Sequence, residues 1–427
     1  MERNIFENFN QLVVSSELRQ SGINQPAALD KRFNFEKGNI LQVEPQFEIA
    51  EDEVTGFEEA TDVDYRGDRV GGFNVSFPRA QIQHLLHILG FAYCGSYEFI
   101  GVGVNGTKSV LTPGDAIEPY LFSAMFQESE LQKTLFASLA YENFEIVFEK
   151  EKFVKASAAV RGTGYNEKNW KREKVTTQSA VGSELLVSTN ILNNDIKSVR
   201  EILMKKNNGS WSKITASSVG EKTIRLSEQF SDGTGEREFQ ITYEPTGISW
   251  VSTEISRIKE TPLLTSSLSV IIGGKFDKTL LTISGGVELN REIRNLTYHY
   301  EQQLTIEARP CASGDNPYFA NYMVRMPRKQ TLTLERDAVN LLMQTYMELK
   351  ENISFKIVCE GVEFEPGVKY SLVIIFPRVG ITKSPRSVDN SMMKETVTLE
   401  ILEDTAGLEK SVYAILVNKQ EKVAALA

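Results

Sequence analysis

The sequence predicts a mainly β chain in which one strand–helix unit occurs twice and a small all-β sandwich lies between the copies. Three observations carry this. Apolar residues alternate with polar ones over most of the length, whereas three- and four-residue apolar spacing is confined to a few short windows. One such window, YRGDRVGGFNVSFPRAQIQHLLHILGFAY, returns in outline as KQTLTLERDAVNLLMQTYMELKENISFKI, with an offset of 257 residues between matching positions. Finally, short alternating segments between residues 182 and 243 are separated by NNG, SVG and DGTG turns, the pattern of a small Ig-like sandwich.

In the first copy, Phe73, Val75 and Phe77 alternate as a half-buried strand. Pro78 then suits a helix start, Ile82, Leu85, Leu86 and Leu89 form the apolar stripe of a short amphipathic helix, and Gly90 ends it. In the second copy Leu332 and Leu334 match Val75 and Phe77, and Val339, Leu342, Met343 and Tyr346 form the stripe over residues 336–347. Two copies so far apart imply internal duplication, which divides the chain into residues 1–180, an insert at 181–250 and residues 251–427.

Taken in order, residues 25–59 read as irregular or extended, with an acidic run at 48–59 expected as a solvated loop. Residues 97–104 read as a strand closed by the Asn105–Gly106 turn. Residues 129–141 read as a second helix capped by Ser129. A strand pair follows over 144–161 with Phe144, Ile146 and Phe148 on one face, and residues 165–174 form a polar linker. Within the insert, strands are expected at 184–188, 199–205, 212–216, 223–226 and 237–243. Further strands are expected at 268–272, 280–284, 295–306, 353–359, 369–376, 395–403 and 412–417, with Pro366, Pro377 and Pro385 in the loops.

At 427 residues the chain holds about two or three domains. Hydrophobic content of 41% and charged content of 24% are those of a soluble globular protein. Cys94, Cys311 and Cys359 are too few and too scattered for a disulfide framework. The opening MERNIFENFNQ is polar, and no stretch approaches the ~20 apolar residues of a membrane helix, so an intracellular, reduced product with no membrane partner is expected. A net charge of −10 argues against a dedicated nucleic-acid binder, and such a surface repels phosphates.

Catalytic and ligand signatures are weak. Gly101, Gly103 and Gly106 spell GxGxxG, but TKSVLTPGD follows where the pyrophosphate helix belongs, so a glycine-rich hairpin is expected. His84 and His87 lie three apart with Cys94 beyond, but a fourth zinc ligand is missing, and buried helix histidines account for them better. His299 has no nucleophile motif nearby, Gly273–Lys275 reads as a turn, and the carboxylates at 48–64 form no calcium loop. No cofactor, metal or enzymatic activity is expected.

Three stretches give the chain a resemblance to the tail tube (major tail) proteins of long-tailed bacteriophages: RGDRVGGFNVSFPRAQIQHLLHILGF, the SVREILMKKNNGSWSKIT…REFQITYEP insert, and YSLVIIFPRVGITKSPRSVDNSMMKETVTLEILED. The resemblance implies β-sandwich or barrel domains, each with a short flanking helix. It implies a virion protein, made in the host cytoplasm, whose copies close rings that stack into a conduit for DNA. Its partners would be itself, in ring neighbours and stacked rings, together with tape-measure, tail-terminator and baseplate proteins, with DNA sliding through unbound. Duplication would give three chains per ring, and one tube domain per chain would give six. The resemblance assigns ring closure to strands bearing Phe144, Ile146, Phe148, Tyr370, Leu372, Ile374, Val397 and Leu399. It assigns helix packing to Ile82, Leu85, Leu86, Val339, Leu342 and Met343, and contact with the next ring to residues 25–59 and 383–392. The alternative is a virion-surface, adhesin-like carbohydrate-binding β protein.

Overall fold

The structure, a computed structural model, describes residues 10–16, 22–49, 63–129, 132–177, 186–188, 195–206, 209–220, 223–226, 237–251, 255, 259–310, 318–389, 391–403 and 409–419. It is mainly β and divides into two compact units. The larger comprises Gln11–Phe126, Phe136–Asn166 and Ile255–Ala427; the smaller draws on Gln127–Leu135 and Glu167–Glu254.

The chain opens with β1 (Gln11–Val14), β2 (Lys31–Phe33), β3 (Glu44–Ile49) and β4 (Val63–Phe77), followed by α1 (Ile82–Tyr93). Next come β5 (Ser96–Val102), β6 (Gly106–Thr112), β7 (Phe122–Gln127), β8 (Lys133–Glu149), β9 (Lys155–Gly162) and β10 (Asn166–Lys168). In place of the helix expected at 129–141, residues 133–141 belong to β8, and residues 130–131 lie outside the described residues. Leu135, Phe136, Ala137, Leu139 and Ala140 are buried on both faces of that strand, and continuous burial mimics helical spacing.

The small unit contains β11 (Lys171–Thr177), β12 (Leu186–Ser188), β13 (Ile196–Lys206), β14 (Ser212–Ile214), β15 (Ala216–Gly220), β16 (Thr223–Leu226) and β17 (Arg237–Pro245). They form a four-stranded sheet, β11–β17–β13–β14, and a three-stranded sheet, β12–β16–β15. One apolar core holds Val175, Ile202, Ile224, Phe239, Ile241 and Tyr243. The stretch read as a linker at 165–174 therefore contributes to folded structure, because β11 pairs along its whole length with β17.

The remaining elements are β18 (Leu268–Ile272), β19 (Lys275–Asp277), β20 (Thr282–Ser284), β21 (Val287–Glu288), β22 (Ile293–Glu301), β23 (Leu304–Glu307), β24 (Tyr322–Arg325) and β25 (Lys329–Asp337). After α2 (Leu342–Leu349) come β26 (Ile353–Glu365), β27 (Val368–Lys383), β28 (Arg386–Asp389), β29 (Met392–Ile401) and β30 (Tyr413–Lys419). Antiparallel pairing in the large unit gives one array β5–β6–β30–β27–β26–β18–β21 and a second array β3–β4–β9–β8–β22–β25–β29–β28. The strand β27 belongs to both. Its first part pairs with β26 and β30, and residues 379–383 pair with β29. Pro377, expected in a loop, lies inside β27 where the strand passes from one array to the other, a place where a ladder donor is not needed.

Helix α1 lies between the arrays, touching β6, β27 and β30 of the first and β9 of the second. All twelve of its residues are buried, so it is a central helix and not the flanking amphipathic one expected. Ile82, Leu85 and Leu86 sit in the core around it. The second strand–helix unit differs. Arg336 ends up in β25, Val339 precedes the helix and is 65% exposed, Leu342 is half-buried, and Met343 is the buried residue of α2. The helix begins six residues later than the stripe suggested because buried Arg336 is held by Glu292, Glu395 and Asn340 and prolongs the strand.

Candidate functional site

The residues assigned to ring closure lie in the core. Phe144 stacks on Tyr300 at 4.9 Å between ring centroids; Ile146, Phe148, Leu372, Ile374, Val397 and Leu399 are fully buried, and Tyr370 is 7% exposed. Over residues 144–148, β8 is paired on both edges, with β9 and with β22; over residues 372–374, β27 is paired with β26 and β30. The described pairings place β3, β5 and β28 against a single neighbour each, so a second chain has an open edge there.

The β3–β4 hairpin of the large unit carries an exposed apolar row. All six residues of β3 are exposed, as are the first four of β4. Phe47, Ile49, Val63 and Tyr65 are 59%, 50%, 61% and 41% exposed. Phe47 packs edge-on against Tyr65, and Tyr65 lies 5.4 Å from the Tyr318 ring. At the hairpin's base Gly67 has φ +115°, and a Cβ there would stand 2.2 Å from the Tyr318 carbonyl oxygen. Only glycine fits so close a backbone approach. Residues 25–59, expected as irregular or extended, include the extended β3, and its pairing with β4 was not foreseen; the alternation of Phe47 and Ile49 in EPQFEI was the available signal. Residues 50–59, the rest of the acidic run, lie outside the described residues. The segment 383–392, read as a loop, includes the β28–β29 hairpin, with Val388, Met392 and Met393 exposed.

The outward face of the second array is polar across its width. Register places Ser76, Ser157, Glu145, His299, Thr331 and Glu400 in one row. The next row holds Lys155, Val147, Thr297, Thr333 and Thr398. Glu149, Asn295, Glu335 and Thr396 follow. Threonines and carboxylates thus alternate with the buried aromatic and aliphatic residues that face α1.

The glycine motif is a hairpin turn between β5 and β6. Its backbone forms an anion nest occupied by the chain itself: Val104 and Asn105 N–H groups donate to the Glu365 carboxylate at 2.6 and 2.9 Å. Those two bonds hold the Glu365 carboxyl below the usual range. His84 and His87 are wholly buried beneath Phe33, whose ring meets both edge-on at 5.1 and 5.2 Å. His84 stacks on Phe77, and His87 bonds the Tyr141 hydroxyl and the Ser15 carbonyl oxygen at 2.8 and 3.0 Å. Desolvation pushes both imidazoles down to about 3. Cys94 lies at the other end of α1, its thiol donating to the Phe91 carbonyl. Among the described residues, no group of three or more His, Cys, Asp or Glu side chains is placed to hold a metal ion.

Each unit has one notable cleft. That of the large unit, about 390 Å³, is lined by Asp115, Arg325, Arg328, Gln330, Glu403 and Ser411 among others. Its cations have acceptors within the chain. Arg325 donates to the Ala116 and Gly114 carbonyls, and Arg328 donates to Gly114, Asp115 and Glu403. Behind it a relay runs inward: Gln330 donates to Ser411, accepts from Tyr298, and Tyr298 meets Tyr93 of α1 at 3.0 Å. This arrangement rivets α1 to the second array. The small unit's cleft, about 460 Å³, is lined by Lys133, Asn169, Lys197, Glu244, Thr246 and Ser249 among others.

The chain matches no protein-family model and no curated protein sequence. No helix among the described residues is long and apolar enough to cross a membrane.

Proposed function

We propose that the protein is a structural virion protein that self-assembles into stacked rings, forming the tail tube through which phage DNA passes. The observation that carries this reading is the β3–β4 hairpin: a strand with an open edge and an exposed apolar row, in a large unit whose own core is already filled. Such a surface is unfavourable in water and calls for a partner, and a second copy of the chain presents further open edges at β5 and β28. Ring contacts through those edges and inter-ring contacts through the β3–β4 and β28–β29 hairpins would cover these exposed strands. The carboxylate- and threonine-bearing face of the second array would line the channel, where DNA must slide without binding.

Negative-stain electron microscopy of the purified chain, with mass photometry beside it, tests the reading. The expected result is rings or tubes with a central hole, and ring mass separates three copies of the 48.0 kDa chain from six. A monomer that persists after long incubation at high concentration overturns it. A surface-decorating, carbohydrate-binding protein is the second reading; what favours it is that Trp170, Trp211 and Trp250, the chain's three tryptophans, all fall in the small unit.

A further inference from the structure

The two clefts differ in charge balance: Arg325 and Arg328 face Asp115 and Glu403 in the large unit, whereas Lys133 and Lys197 share Glu244 in the small one. In the large unit every guanidinium at the cleft has acceptors from its own chain. In the small unit Lys197 and Arg200 both face one carboxylate, Glu244, and Lys133 lines the same cleft as Lys197 and Glu244. Lys133 donates to the Val251 carbonyl at 3.1 Å, and Lys197 donates to Glu244 Oε1 at 2.8 Å. An ammonium has three donors, so both lysines keep bonding capacity toward the cleft. Arg200 is less well provided for. Its side chain is 17% exposed, and its buried Nη2 has Glu244 Oε2 as an ion-pair partner only at 3.8 Å, too long for a good hydrogen bond. A buried guanidinium left short of acceptors is costly and calls for an explanation.

We infer that this cleft binds a small anionic polyol, a molecule that carries a phosphate or carboxylate beside hydroxyl groups. The inference is independent of whether the protein forms a tube. Lys197, at the cleft mouth and 61% exposed, takes the anion together with Lys133. As Lys197 turns from Glu244 to the ligand, Glu244 is released to close its 3.8 Å gap to Arg200, so the bond lost at one cation is regained at another. The Asn169, Thr246 and Ser249 side chains along the wall supply amide and hydroxyl groups for the polyol part. In a chain of net charge −10, a pocket where cations outnumber carboxylates is not a by-product of overall composition.

The test uses the full chain and three probes: glycerol 3-phosphate, glucuronate and inorganic phosphate. Calorimetry measures binding, and fluorescence of Trp250, next in sequence to the cleft residues Ser249 and Val251, reports it. Saturable one-site binding of either polyol anion is expected, weakening with added salt, and Lys197→Gln should reduce affinity by about ten-fold or more, the worth of a charge-assisted bond. Melting curves show whether Lys197→Gln is folded; if it is not, the salt dependence of the unaltered chain decides. Absence of saturable binding, salt-independent binding, or unchanged affinity in folded Lys197→Gln overturns the proposal. Phosphate binding as tightly as glycerol 3-phosphate overturns its polyol part.

Discussion

His84 and His87 show how one residue's surroundings reverse its ordinary behaviour. Free imidazole takes a proton near pH 6.5, but burial against Phe33 and Phe77 disfavours the cation, so in the folded chain both stay neutral to about pH 3. The unfolded chain therefore binds more protons than the folded one between those values, and stability falls as pH drops below 6.5. Each histidine contributes a slope of about 1.4 kcal/mol per pH unit in that window. Urea unfolding at pH 7 and pH 5 should show a clear loss, with His84→Leu flattening part of the profile; an unaltered midpoint between the two pH values would refute this. Arg336 makes a second prediction. It is fully buried, as is Glu395, and Glu292 completes the cluster. Arg336→Met strands the Glu395 carboxylate with only Ser384 and the more distant Arg386, and should destabilise by about 3–5 kcal/mol. Converting Glu395 to Leu as well should recover much of the loss in chemical denaturation; no recovery would show that the pair matters for geometry and not for charge.

At the level of elements, the β3–β4 hairpin is the place to test the proposed association while leaving the core alone. Phe47→Glu with Ile49→Glu sits on a strand with no buried residue, so folding should persist while polymer disappears in sedimentation. Unimpaired assembly would exclude the hairpin from the contact. Much of the strand pattern was legible from residues alone. Residues 223–226 and 268–272 match their strands to the residue, because alternation and flanking turns agree there. Residues 129–141 misled because burial on both faces of β8 erases period-two alternation. The stripe of α2 misled for the opposite reason: Val339 has helical spacing but lies outside the helix, as Arg336 keeps the preceding strand going. The cationic cleft of the small unit was not legible, since Lys133, Lys197 and Glu244 are brought together by pairing over a hundred residues of chain.

At the scale of the whole molecule, the net charge of −10 and the wide polar face of the second array bear on DNA. Glu145, Glu335 and Glu400 lie on that outward face in β8, β25 and β29, with β22 between the first two. If that face lines a channel, replacing these three residues by lysine places attractive charge along the path and should slow DNA release from virions in a dye-based ejection assay, with the delay shrinking as salt rises. Ejection at the unaltered rate would remove that face from the channel. The array itself has a further property. Strand β27 is bonded to β26 and β30 before Pro377 and to β29 after it, so one unbroken backbone is stitched into both arrays. A pull on one array reaches the other through peptide bonds, and the two cannot be peeled apart without shearing that strand's ladders. Under tension, the large unit should therefore yield in a single step, like a seam whose thread passes through both cloths.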